Sequence, residues 1–188
     1  MATIRTLVIA DTDPQIDIPK TVKKEKIDLV ITLGDLTIWD LEGLDKVEVP
    51  KIGVYGNHDV VKYMPQFGIE DLHCKTWNFM GLKFAGFEGC PEYRKHKVEP
   101  MYSQREAKDL IRKIPHVDVF IAHCPPTNVN DDETIHKGWI ELENYLAHEN
   151  PKMLLHGHTY PNPDKMTTQY YDTKIVYVQG YKIVEIEA

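Results

Sequence analysis

The sequence predicts an α/β protein, and two observations carry that reading. Short apolar runs at 4–10, 29–33, 49–55, 117–122 and 153–155 each stop at a loop of Asp, Asn, Gly or His, the pattern of buried strands. Stretches with apolar residues at helical spacing lie between them, whereas strand-like runs dominate the end of the chain. Because the alternation fails there, a simple doubly wound sheet is not expected. Composition by itself says only α/β.

Each element follows from local pattern. Residues 14–26 carry Ile16, Ile18 and Val22 with a Lys-rich face, which suits a short helix over a sheet; 39–47 is a weaker helical connection. Phe79, Leu82, Phe84 and Phe87 flank Met80-Gly81, which reads as a hairpin. Ser103 with Glu106 three residues on is a capping box, opening a helix that must end before Pro115. The strand at 117–122 delivers His123, and Pro125-Pro126 then ends regular structure. Trp139, Ile140, Leu142, Tyr145 and Leu146 are spaced as a helix stopped by Asn150-Pro151. The tail offers strands at 174–179 and 182–186 around Gly180-Tyr181, read as a closing hairpin.

A chain of 188 residues can bury one good core, and with no repeat, linker or low-complexity segment a single domain over 1–188 is expected. Hydrophobic content of 42% and charged content of 27% are ordinary for a globular protein. A formal charge of −7 argues against a protein that coats long nucleic acid, but not against a small nucleotide held through metal ions. The opening MATIRTLVIAD runs straight into a strand, and no segment approaches 18 apolar residues, so a cytoplasmic protein without membrane association is expected. Cys74, Cys90 and Cys124 have no C-x-x-C spacing, which speaks against a disulfide framework or structural zinc. Cys124 follows His123 and reads as a small residue packed at a strand end.

The chemistry lies in the loops that end the apolar runs: Asp11-Thr12-Asp13, Gly34-Asp35, Gly56-Asn57-His58-Asp59, His123 and His156-Gly157-His158. Any one of them is ordinary as a turn rich in Asp, Asn and Gly. Together they put carboxylates, an amide and imidazoles at the carboxyl ends of strands, where open α/β sheets place their sites, and this describes a metal centre.

Their order and spacing resemble the calcineurin-like metallophosphoesterase family, whose pattern is D-x-H, GD, GNH with an acid, a lone His, and GH-x-H. The resemblance runs from Asp11 to His158. It implies a four-layer α/β/β/α sandwich of two mixed β-sheets, and hydrolysis of a phosphate ester by metal-activated hydroxide at a dinuclear site. It implies that Asp11 and Asp35 serve the first metal, and that Asp35, Asn57, His123 and His158 serve the second. His58 would protonate the leaving oxygen and Asp59 would orient its ring. The cofactors implied are two divalent metal ions, manganese foremost, with iron, zinc, nickel or magnesium as other candidates. The substrate implied is a small phosphate ester or nucleotide, with phosphodiesters ahead of monoesters.

The chain departs from the pattern in two places. Asp13 stands where the family has the His of D-x-H, and Tyr160 where it has the last His of GH-x-H. Asp13 can coordinate instead, since residues two apart at a strand end can face the same side; otherwise it acts behind the ligands or leaves the place to water. Either way the first site is harder and more anionic, which favours manganese or magnesium there. Tyr160 would bind metal only as a phenolate, costly for a group of free pKa about 10, so packing or substrate contact is the reading. His156 reads as packing behind the ligands.

Three clusters bear on specificity: the basic run Tyr93-Arg94-Lys95-His96-Lys97; His136-Lys137-Gly138, whose amides open a helix and can meet a phosphate; and Trp39, read first as core and second as a base-stacking platform. The rival function is a non-catalytic scaffold of the same fold that binds metal or protein. The missing first-site imidazoles favour it; the complete second set and the intact His58-Asp59 pair oppose it.

Overall fold

The structure is a computed structural model, and it describes residues 3–59, 61–93, 100–127, 129, 137–160 and 167–188. In chain order the strands and α-helices are β1 (Thr3–Ala10), α1 (Ile18–Glu25), β2 (Leu29–Thr32), β3 (Lys51–Gly53), α2 (Met64–Phe67), β4 (Glu70–Asp71), β5 (Thr76–Phe79), β6 (Leu82–Phe87), β7 (Cys90–Pro91), β8 (Met101–Tyr102), α3 (Gln104–Ile111), β9 (Val119–Ala122), α4 (Ile140–Glu149), β10 (Met153–His156), β11 (Gln169–Tyr170), β12 (Thr173–Tyr177) and β13 (Gly180–Glu187). A 3₁₀ turn at Leu44–Lys46 is what becomes of the weak helical signal before β3.

Among the described residues there are two large sheets, of order β13-β1-β2-β3-β4 and β11-β12-β10-β9-β6-β5, and a small β7-β8 pair. Both large sheets are mixed: parallel in the interior, with β13 antiparallel to β1, β5 to β6 and β11 to β12. They pack face to face. One buried cluster joins Ile4, Val8, Leu29 and Ile31 of the first sheet to Phe84, Val119, Ile121 and Leu155 of the second. The outer face of the first sheet is covered by α1, α2 and the 3₁₀ turn, through Ile18, Val22, Leu44 and Met64. The outer face of the second is covered by α3 and α4, through Ala107, Ile111, Leu142 and Leu146. The four-layer α/β/β/α sandwich is therefore present.

Local signals set several boundaries as expected. Asp17 caps α1 through Lys20 N, and Lys26 ends it in the left-handed conformation. Ser103 and Glu106 form the reciprocal capping box of α3, worth about 1 kcal/mol. Asn150, at φ 48, stops α4. Met80 and Gly81 take φ of 48 and 86, the paired positive values of a tight hairpin turn between β5 and β6.

The tail departs from expectation. Its two strands do not form a hairpin: β12 lies parallel to β10 in one sheet, while β13 pairs with β1 in the other from Thr3↔Glu187 to Ala10↔Gly180. Val178, fully buried in the cluster between the sheets, makes the crossing. Pairing β13 with the longer β1 satisfies more backbone groups than a short hairpin would, and covers an edge of the first sheet.

Two glycines bring the loops after β2 and β3 together. Gly34 has φ +91, and a Cβ there would lie 2.1 Å from Gly56 N; a Cβ on Gly56 would lie 2.1 Å from Asp35 Oδ1. Gly34→Ala is expected to cost at least about 2 kcal/mol, combining a forbidden contact with a left-handed backbone, and to lower the denaturant midpoint correspondingly. A midpoint equal to wild type would show that the two loops can separate freely.

Candidate metal centre

The parallel strands of both sheets end on one edge. There β1 leads into Asp11, β2 into Leu33-Gly34-Asp35, β3 towards Asn57, β9 into His123 and β10 into Gly157-His158. Backbone bonds tie these exits together: Asp11 N donates to Gly34 O (3.1 Å), and Gly157 N donates to His123 O (3.0 Å). Asp11, Asp35 and His158 all have positive φ, at 65, 53 and 69. Non-glycine residues seldom adopt that conformation, and when several do so together the surroundings must enforce it.

His123 is the centre of the arrangement. It is fully buried. Its Nδ1–H donates to the Leu33 carbonyl at 2.8 Å, which aims Nε2 inward. Around Nε2 stand Asn57 Oδ1 at 2.9 Å, His158 Nδ1 at 3.0 Å and Asp35 Oδ2 at 3.5 Å. Ligands about 2.1 Å from a shared ion are separated by about 3.0 Å in octahedral and about 3.4 Å in tetrahedral geometry. Asp35, Asn57 and His158 thus each stand from His123 Nε2 at about the separation of two ligands on one divalent cation. Asp35, His123 and His158 are also the group whose ligand atoms lie within 4.8 Å of one another. The Asn57 amide nitrogen, buried, has no hydrogen-bond partner among the described residues, so its oxygen is the end committed to the set.

Asp11 lies beside this set. Both its oxygens accept the His158 amide, at 3.0 and 2.9 Å, and Oδ1 is 3.9 Å from His123 Nδ1. Burial pushes its carboxyl up to about 6, against the opposing charge of His123 and the His158 amide. For Asp35 burial acts the same way, but the charge and hydrogen bond of His123, the His58 amide and the His58 ring prevail and hold it at about 2. Desolvation disfavours charge on His123, yet Asp35, then Asp11 and the Leu33 carbonyl, raise its pKa to about 9. Without a cation, the imidazolium is what offsets the carboxylates.

Asp59 holds the scaffold of the site. Its Oδ2 accepts Gly56 N (2.6 Å) and Asp35 N (2.9 Å), and its Oδ1 accepts Leu36 N (2.9 Å). Tyr63 lies at 3.5 Å from Oδ2. The motif implied that this carboxylate orients the His58 ring; instead both oxygens are taken by backbone amides, and it locks the GD loop to the GNHD loop. Burial raises it to about 6, despite the Gly56 amide. His58 is exposed at the rim, its amide donating to Asp35 Oδ1 at 2.7 Å.

The first-metal departures are placed less evenly. Asp13 is exposed, and its Oδ1 accepts Gln15 N at 2.7 Å. Strand β1 ends at Ala10 and Asp11 turns at φ 65, so the two-residue alternation that would align Asp11 with Asp13 is broken. Tyr160 is 64% exposed; burial of its hydroxyl, then the charges of Asp11 and Asp35, raise its pKa and keep it a phenol beside the centre. His136 lies outside the described residues, as do residues 94–97 of the basic run. His156 packs as expected: buried, ring to ring with Tyr177 at 5.6 Å, and pushed down to about 4 by burial. Cys124 is buried at its strand end as expected.

Tyr177 escaped the sequence reading. Its ring lies 5.6 Å from that of His156, and its pKa is raised by burial and then by the charges of Asp11 and Tyr160. It gets there through the register His156↔Tyr177, which no local signal announces. Trp39 overturns its expectation as core: it is 79% exposed.

The sequence profile described as calcineurin-like phosphoesterase matches residues 4–162. No curated protein matches the chain. Among solved structures, TT1561 of Thermus thermophilus is similar at TM-score 0.62 and 14% identity, over 85% of this chain and 83% of that one. GAP50, the anchor in the inner membrane complex of Plasmodium, is similar at TM-score 0.54 and 11% identity, over 95% and 72%. A phosphatase from Mycoplasma pneumoniae is similar at TM-score 0.50 and 15% identity, over 95% and 73%. These likenesses are of fold. No helix among the described residues is long and apolar enough to cross a membrane.

The ionisations make a prediction about metal-free protein. Raised groups stabilise the fold below their ordinary values and lose that contribution as pH rises through the folded value: Asp11 and Asp59 from 3.8 through about 6, and His123 from 6.5 through about 9. Asp35, lowered, contributes above 3.8 and loses its share only as pH falls through about 2. Between roughly pH 4 and pH 9 these groups therefore weaken the metal-free fold, while a cation gains ionised ligands. Manganese should raise Tm more at pH 8 than at pH 5.5 in thermal melts of chelator-treated protein. An equal rise at both pH values would refute the assigned donor set.

Proposed function

The chain belongs to the calcineurin-like phosphoesterase family, and on that premise we propose that it is a metal-dependent hydrolase of small phosphodiesters. One observation supports the reading: Asp35, Asn57 and His158, from loops of both sheets, lie within 3.5 Å of His123 Nε2. Bound divalent ions would supply charge neutralisation for the phosphate and a water of lowered pKa. The second ion would be held by those four residues, and the first by Asp11 and Asp35, with Tyr160 and Tyr177 alongside. Asp13 adds negative charge nearby; as a ligand it would have to give up the Gln15 amide. That weaker, oxygen-rich first position favours manganese or magnesium.

The chain's own residues have distinct tasks. Asp59 fixes the loops, so Asp35 and Asn57 reach the centre without rearrangement. His58, exposed at the rim, delivers a proton to the leaving oxygen. Tyr160 offers a phenolic hydroxyl to a phosphate oxygen. The choice of a diester ahead of a monoester rests on the family resemblance.

A scaffold is the second reading. Its support is the first site without imidazoles, and the same fold occurs in a protein described as an anchor. Metal analysis with a panel of phosphomonoesters, cyclic nucleotides and aryl phosphodiesters, run with added manganese, separates the two. Bound metal with turnover of diesters is expected; bound metal with no turnover of any ester would replace the enzyme by the scaffold.

His58→Ala should keep its metal yet lose about 10²–10⁴ in kcat, the size of a general-acid contribution. The loss should shrink for nitrophenyl esters, whose leaving group needs little protonation. A collapse in metal content instead would make His58 a ligand and overturn its assigned role.

A further inference from the structure

His58 faces more than the metal centre. It also lines a cleft of about 280 Å³, together with Ile38, Trp39 and Val61 and with the buried Leu36 and Tyr63. Three large apolar side chains stand open to solvent here: Trp39 at 79%, Val61 at 64% and Ile38 at 41%. A single exposed apolar residue needs no explanation, but three lining one concavity beside a reactive imidazole do. The base of the cleft is firm. The Asp59 carboxylate that holds Asp35 also holds the Leu36 amide, so this base and the proposed metal loop move as one piece.

We propose that the cleft receives the leaving group of the substrate, and that this group carries a flat ring stacked on Trp39. The inference rests on the hydrolytic reading above and names the substrate class for that site. Position is the first support. In the hydrolysis a water oxygen bonds to phosphorus and releases a proton to solvent, the bond from phosphorus to the leaving oxygen breaks, and that oxygen takes a proton from His58. The group attached to the leaving oxygen must lie immediately past His58, which is where the cleft begins.

Chemistry is the second support. Its open walls are an indole and two aliphatic side chains, with the exposed Thr37 and His58 as the polar members and Asp59 buried behind them; the apolar part rewards burial of a neutral flat ring. Size is the third. Pockets that enclose a whole drug-sized ligand run to roughly 300–1,000 Å³, so this cleft suits one ring system with the phosphate held outside it. A nucleoside and a simple aryl alcohol share that chemistry.

Calorimetry on the full chain with manganese present tests the proposal, using phosphonates that cannot be hydrolysed. Phenylphosphonate should bind about tenfold or more tightly than methylphosphonate. Trp39→Ala should bring that ratio close to one, and Trp39→Phe should keep most of it. Trp39 is a surface side chain, and circular dichroism checks that the variants fold. The same ratio taken with adenosine 5′-phosphate against ribose 5-phosphate identifies a base as the ring if it too collapses in Trp39→Ala. No preference for the ring in wild type, or one that survives Trp39→Ala, overturns the proposal. If the protein hydrolyses no ester at all, the hydrolytic reading fails, while the phosphonate ratio still decides the cleft.

Discussion

Everything at the centre depends on one hydrogen bond between the two halves of the sandwich, from His123 Nδ1–H to the carbonyl of Leu33. It joins the end of a strand in the second sheet to the loop after β2 in the first, across 90 residues of sequence. Because that nitrogen is occupied, Nε2 is the one left to face Asn57, His158 and Asp35. A shift between the sheets of an ångström would separate donors that now stand 2.9–3.5 Å apart. The dense apolar cluster between the sheets is therefore part of the site, since close packing resists such a shift.

Conformational strain is concentrated at the same place. Asp11, Asp35 and His158 occupy left-handed backbone that costs non-glycine residues roughly 1–2 kcal/mol each. Carboxylate–amide bonds offset it: Asp59 on the amides of Gly56, Asp35 and Leu36, and Asp11 on the amide of His158. Charge-assisted bonds of this kind are among the stronger ones available to a protein. The motif acid Asp59 is thus better understood as a clamp on two loops than as a partner of the neighbouring imidazole. Catalytic power assigned to His58 and architecture assigned to Asp59 are separable in principle, because they act through different atoms.

Electrostatics favours a bound cation. Asp11 and Asp59, held near 6 by burial, and the imidazolium of His123, near 9, describe acids buried in excess of the cations the chain provides. Divalent ions relieve that excess. The two departures from the family pattern are placed differently: Tyr160 feels the charges of Asp11 and Asp35, whereas Asp13 is exposed and accepts the Gln15 amide.

Much was legible in the sequence because it is local. Strand runs, the capping box at Ser103, the turn at Met80-Gly81 and the order of GD, GNHD, His and GH are set by residues a few positions apart, and the second-metal set was named through the family resemblance that this order carries. The four layers came through resemblance to a family, not from periodicity. What only tertiary structure decided involves distant partners. The tail strands read as a hairpin, but β13 finds a longer partner in β1 and β12 lies against β10, a choice between pairings that local propensity cannot rank. Trp39 carries the composition of a core residue, yet its loop turns it outward. Asp13 follows Asp11 at strand spacing, but the strand has already ended. Tyr177 meets His156 through register alone. Secondary structure answers to neighbours in the chain; which side chains share a cavity answers to how two sheets, one of them holding both ends of that chain, come to rest on one another.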